Sequence, residues 1–200
     1  AFKNQKSALY RSVGLQYKKD YIDDTDKLLT FIETRQDEAI TLYEEKREEY
    51  IKLFEYFSKR NPLIANLTAI SGIRYISAVK IYSIVIDASR FENKYKYWGY
   101  AGLVKHGKES GGRNYGKRKP RYNRQLKSIY KSAALAAISG KNDIREYYEY
   151  LIRTGVPIPK ARNSIARYIA KASYAMLKNK STYIPYQWRN NRKKSFRENT

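Results

Sequence analysis

The sequence predicts an all-α protein: a long coiled-coil helix, then a compact helical domain containing a helix-hairpin-helix-like motif. Three observations carry that expectation. Nine positions between Leu29 and Phe57 alternate spacings of three and four residues. Two short apolar runs flank the turn Ser71-Gly72-Ile73. The later apolar runs keep helical spacing, and none alternates in the manner of a strand.

The first element follows from the absence of Pro and Gly between Gln16 and Phe57. Leu29, Ile32, Gln36, Ala39, Tyr43, Lys46, Tyr50, Leu53 and Phe57 form a heptad seam, polar at Gln36 and Lys46. Such a helix would be about 60 Å long at ~1.5 Å per residue. Its stripe must be buried, against a second copy or against the chain's own basic half. Residues 1–60 therefore read as an oligomerisation helix, giving a dimer or tetramer. Asn61-Pro62 ends it, because Pro disfavours helical geometry at the residue before it.

The domain 61–183 then begins with the hairpin. Gly72 there is either a helix C-cap or a turn whose backbone N–H groups, at Gly72 and Ile73, meet a phosphate. Arg74 follows at the start of the second helix. Further helices are expected from Asn123 to Ile138, ended by Gly140, from Asp143 to Arg153, capped by Asn142 or Asp143, and from Lys160 to Lys178. Residues 184–200 read as a basic, disordered tail.

Charge bounds the partner. The formal net charge is +22, yet residues 1–60 carry 12 Lys/Arg against 12 Asp/Glu, so residues 61–200 hold the whole excess. Fifteen of the 21 tyrosines also lie beyond residue 60. Basic and aromatic residues interleaved in this way are the footprint of a nucleic acid. A membrane surface would need segregated basic and bulky apolar faces on one helix, and the basic cluster here is rich in Gly and Asn. No run reaches the ~18 apolar residues of a membrane span. With no Cys and His106 as the only His, thiolate and imidazole metal sites are excluded.

The cluster itself runs from Gly102 to Lys127, and Ser110 sits within it in a Ser-Gly-Gly turn. A serine that attacks a phosphodiester needs a close backbone approach and fixed positive charge to offset charge growing on the phosphorus oxygens. A solvated basic loop with a serine at a turn is the alternative. Arg113, Arg118, Arg121 and Arg124 are candidates for clamping the phosphate, and Lys117, Lys119 and Lys127 for binding beside it.

These landmarks, in order, resemble the C-terminal transposase domain of the insertion-sequence one-ten family, bridge-RNA-guided recombinases related to Piv-type DNA invertases. Ile70-Ser71-Gly72-Ile73-Arg74 matches the family's hairpin, with Ser and Arg where Pro and a second Gly are usual. Arg90-Phe91, Ala101-Gly102-Leu103 and Tyr122-Asn123-Arg124-Gln125-Leu126-Lys127 match its next motifs, and Tyr147-Tyr148, Gly155 and Ala166-Arg167 complete the order. Ser110-Gly111-Gly112 falls on the catalytic-serine motif. Lys105 stands where the family has Pro, and the loop from Gly116 to Tyr122 is about one residue short.

The resemblance implies a recombinase that binds DNA and a structured guide RNA in the nucleoid-bearing cytoplasm, with Ser110 as nucleophile. It also implies an acidic N-terminal domain that binds magnesium. Nothing in these 200 residues supplies that acidic tetrad. The chain, which opens without Met, is therefore expected to be a C-terminal portion that holds no cofactor or metal of its own. Asp143, Glu146 and Glu149 read as the solvent face of one helix. A non-catalytic nucleic-acid-binding protein is the competing function. A metal-dependent nuclease built on Asp87, Glu92 and Glu109 is a third.

Overall fold

A computed structural model describes residues 2–17, 20, 22, 27–104, 106–110, 113–118 and 121–190, with backbone alone at 2, 106–110 and 113–118. In chain order the elements are α1 (Phe2–Ser12), α2 (Lys27–Arg60), α3 (Pro62–Leu67), α4 (Tyr75–Val85), a short 3-10 turn (Ala88–Arg90), α5 (Lys94–Tyr100), β1 (His106–Ser110), β2 (Arg113–Arg118), α6 (Arg124–Ser139), α7 (Asp143–Arg153) and α8 (Ile158–Asn179). The class is helical, as expected. The basic cluster expected to be a loop is instead a two-stranded antiparallel hairpin. The chain divides into two units, residues 1–53 and 54–200.

In the first unit the expected single helix is interrupted. The long helix begins at Lys27 rather than Gln16, and α1 precedes it, separated by a turn at Gly14 with φ of 77°. α1 is tied to α2 by a buried cation. Lys6 is 6% exposed, and its Nζ lies 2.6 Å from Asp37 Oδ1 and 3.0 Å from Glu33 Oε1. Burial alone would lower its pKa, but the hydrogen bonds to Asp37 and Glu33 outweigh that and raise it. Tyr10 donates its hydroxyl to Glu33 as well. The stripe follows suit: Leu29, Ile32, Gln36 and Ala39 are half-buried, whereas Tyr43, Lys46, Tyr50, Leu53 and Phe57 are exposed.

The second unit is built around α6 and α8. Leu126, Tyr130, Ala133 and Ala137 of α6 and Ile165, Ala166, Ile169 and Ala170 of α8 are all at most 2% exposed. Small side chains let the helices approach closely. Asn61 caps α3, accepting from the N–H groups of Leu63 and Ile64, so the Asn-Pro break becomes a helix start. Asn93, Asn123 and Asn142 do the same for α5, α6 and α7. Within the core, Tyr97, Tyr130 and Ser173 join their hydroxyls in one chain, which satisfies three buried polar groups on α5, α6 and α8.

Residues 184–190 are not a loose tail. Trp188 is 7% exposed, stacks on Tyr147 and Tyr150, and donates its indole N–H to the Asp143 carbonyl at 3.2 Å. Asp143, expected on a solvent face, is 6% exposed and accepts hydrogen bonds from the Tyr183 hydroxyl and the Tyr186 N–H. The rest of the expected tail, residues 191–200, lies outside the described residues.

Buried phenols make the fold sensitive to alkali. Burial raises Tyr130 to about 12, against hydrogen bonds from Ser173 and Tyr97 that lower it. Burial also raises Tyr97. Each folded pKa lies above the ordinary 10.0, so the unfolded chain holds fewer protons between those values. The phenols' contribution is complete below pH 10 and is lost as pH rises towards about 12. Helical circular dichroism should therefore collapse in that window together with a late tyrosinate absorbance step. All 21 tyrosines titrating near pH 10 with the helices intact would contradict it.

Candidate nucleic-acid interface

The hairpin is rooted on two residues that meet side to side. Gly102 has φ of 64°, and a Cβ placed there would sit 2.6 Å from the Tyr122 ring. Tyr122 thus packs flat on the glycine backbone, and the Lys127 ammonium lies 4.6 Å from the centre of its ring. The Asn123 N–H donates to the Tyr100 carbonyl at 2.8 Å, closing the base between α5 and α6. The Arg90 guanidinium lies 4.7 Å from the centre of the Phe91 ring and 4.8 Å from that of Tyr100.

From this root β1 and β2 pair His106 with Arg118, Gly107 with Lys117, Glu109 with Asn114 and Ser110 with Arg113. Between the second and third of these pairs β2 carries one residue more than β1, a bulge of the kind that bends a hairpin near functional sites. Ser110 therefore ends β1, opposite Arg113, and Gly111-Gly112 joins the strands. Gly111, Gly112 and Lys119 lie outside the described residues, as do the side chains of Ser110, Arg113, Lys117 and Arg118. His106 stands four residues from Ser110 along an extended strand, about 13 Å at ~3.3 Å per residue.

At the root, Arg121 and Arg124 are exposed and Lys127 is half-buried. The first turn of α6 contains no acidic residue, so its unpaired N–H groups and these cations act with one sign. The Gly72 turn lies elsewhere on α6. A Cβ on Gly72 would fall 2.1 Å from the Ala133 carbonyl oxygen, which sets the turn beside Ala133, about 9 Å along the helix from Lys127 at ~1.5 Å per residue. The Ile73 N–H donates to the Ile70 carbonyl at 3.0 Å. That donor is engaged within the turn. Gly72 serves close helix packing, and exposed Arg74 begins α4.

Among the described residues no three His, Cys, Asp or Glu side chains come together as a metal site. Hydrogen bonds from the hydroxyl and N–H of Ser89 hold the Asp87 carboxyl below its usual range, in a turn cap. The Glu109 side chain is outside the described residues. Sequence reasoning missed the pairing of Gly102 with Tyr122, although both stood inside quoted motifs. Their partnership is visible only once α5 and α6 are adjacent.

Residues 64–149 carry a domain that matches the family model for the Transposase IS116/IS110/IS902 family. The match spans the Gly72 turn, the root, the hairpin and α6. Among curated proteins none matches the chain. No helix among the described residues is long and apolar enough to cross a membrane.

Proposed function

We propose that this chain binds DNA and a structured guide RNA and supplies Ser110 as the nucleophile of strand cleavage and exchange. The transposase-family domain gives the context of DNA recombination. The observation that carries the finer reading is the register of the hairpin: the serine stands opposite Arg113 beside a Gly-Gly connection, above a root bearing Arg121, Arg124 and Lys127. In the reaction, Ser110 Oγ forms a bond to phosphorus as the bond from phosphorus to the leaving sugar oxygen breaks. The serine proton goes to a base, and the sugar oxygen gains one. The protein–phosphate ester keeps the bond energy for rejoining.

His106, at the far end of β1, is not placed to be that base. Activation is assigned to groups beyond those described. Strand exchange needs more than one serine, and α2 offers a surface for a second copy: Leu42, Leu53 and Phe57 are 55%, 46% and 49% exposed. The site of action is the nucleoid-bearing cytoplasm. The competing reading, nucleic-acid binding without chemistry, uses the same basic face and is favoured by the place of the sole His, His106, at the other end of β1 from Ser110.

Both readings require phosphate neutralisation. If the basic face touches about six to ten phosphates, affinity for duplex DNA or structured RNA falls about 10³–10⁵-fold between roughly 50 and 200 mM salt. Fluorescence anisotropy across that range tests it, and a flat response overturns both. A trapped covalent protein–DNA product separates them.

A further inference from the structure

A second basic face lies on α5 and α8. Trp98 is half-buried there, and its indole N–H donates to the Arg167 carbonyl of α8 at 3.0 Å, which fixes the ring. Tyr95, one turn earlier, stands edge-on to it at 5.3 Å and 90°, and is 58% exposed. The Lys94 ammonium lies 5.0 Å from the centre of the Tyr95 ring and 5.9 Å from that of Trp98, and the Arg167 guanidinium 6.0 Å from that of Trp98. Lys171, one turn beyond Arg167, is half-buried. Its own burial first, and the charge of Lys94 second, pull its pKa below the usual lysine range.

Among the described residues no carboxylate forms an ion pair with Lys94, Arg167 or Lys171. Two like charges held close without a counter-charge are relieved by an anion. The exposed Tyr95 ring, beside Lys94 and edge-on to the fixed Trp98, gives that anion a second requirement, a flat apolar surface. A duplex keeps its bases stacked inside and cannot use the ring, whereas an unpaired nucleotide satisfies both.

We infer that the α5–α8 face binds a single-stranded segment of nucleic acid, one unpaired base stacking on Tyr95 and the flanking phosphates meeting Lys94, Arg167 and Lys171. The inference rests on the nucleic-acid reading above but not on Ser110. A displaced DNA strand and an RNA loop share this chemistry.

The test uses the whole chain and four probes of equal length: an oligothymidine, an oligouridine, an abasic oligodeoxynucleotide and a duplex. Tyr95→Ala should weaken both base-bearing single strands about 5–160-fold, since stacking is worth about 1–3 kcal/mol per base. It should change the abasic strand and the duplex less than about twofold, because the phosphates keep their cations. Tyr95→Phe keeps a ring and should retain binding. Lys94→Gln with Lys171→Gln should weaken all three single strands, the abasic one included. Tighter binding of oligouridine names RNA as the source and of oligothymidine names DNA; either supports the face. Unchanged single-strand binding in Tyr95→Ala overturns the inference and leaves the hairpin reading intact. A wild-type chain that binds no probe overturns the nucleic-acid reading itself.

Discussion

Gly72→Ala should cost about 2–5 kcal/mol of folding free energy, a large share of the ~5–15 kcal/mol that domains of this size possess. Two terms add. At φ of 90° an L side chain pays the left-handed penalty, about 1–2 kcal/mol. The new methyl would also lie 2.1 Å from the Ala133 carbonyl oxygen and 3.1 Å from the Ala137 nitrogen, both backbone atoms of α6. Neither can rotate aside, so the turn must back away from the helix at the ~1–3 kcal/mol typical of overpacking. Gly155→Ala separates the terms. It has φ of 82° but nothing within 4 Å, so it should cost only the first. Urea unfolding of the two variants gives the comparison. Equal losses would mean that the close approach of the turn to α6 contributes nothing.

Legibility of this fold followed the locality of its signals. The Asn-Pro break, the Asn before α6 and α7 and the Gly140 end are written in neighbouring residues, and the bounds of α6, α7 and α8 were accordingly found within about two positions. What failed depended on distant partners. Nothing beside Lys6, Tyr10, Glu33 or Asp37 in the sequence announces that they fasten α1 to α2. Asp143 read as solvent-facing, because nothing local announced that Tyr183, Tyr186 and Trp188 would return to cover it. The hairpin was missed for another reason. A two-stranded ribbon with no apolar face has no period-2 pattern to detect. The Gly111-Gly112 pair flanked by Ser110 and Arg113 was a two-residue hairpin signal, taken only as a flexible turn.

The candidate serine was legible in position and not in setting. Composition placed Ser110 among cations, but only the strand register sets it opposite Arg113 and puts His106 at the other end of β1. Gly102 packs against Tyr122, and the Asn123 N–H meets the Tyr100 carbonyl, so the described ends of the segment that carries the hairpin come together between α5 and α6.

Ser110→Ala should abolish covalent capture of DNA while leaving binding within about threefold. In the proposed reaction the serine hydroxyl oxygen bonds to phosphorus, so its loss would remove the nucleophile outright, an effect of about 10⁴-fold or more where such residues have been deleted. Binding depends instead on counterion release by Arg121, Arg124, Lys127 and the strand cations, and one neutral hydroxyl adds almost nothing to it. The isolated chain should bind DNA and not cut it, since a bare serine hydroxyl is a poor nucleophile and the sole imidazole, His106, stands at the other end of β1. The assay therefore adds the acidic domain, magnesium and guide RNA that the family resemblance implies, and separates products on a denaturing gel. Arg121→Ala with Lys127→Gln is the reciprocal control: binding should weaken alike for every sequence, and adduct should recover at higher protein concentration. An adduct that persists in Ser110→Ala, or one mapped to Ser71, Ser128 or a tyrosine, overturns the assignment. A complete wild-type assembly that binds tightly and yields no adduct leaves the basic hairpin as a binding device alone.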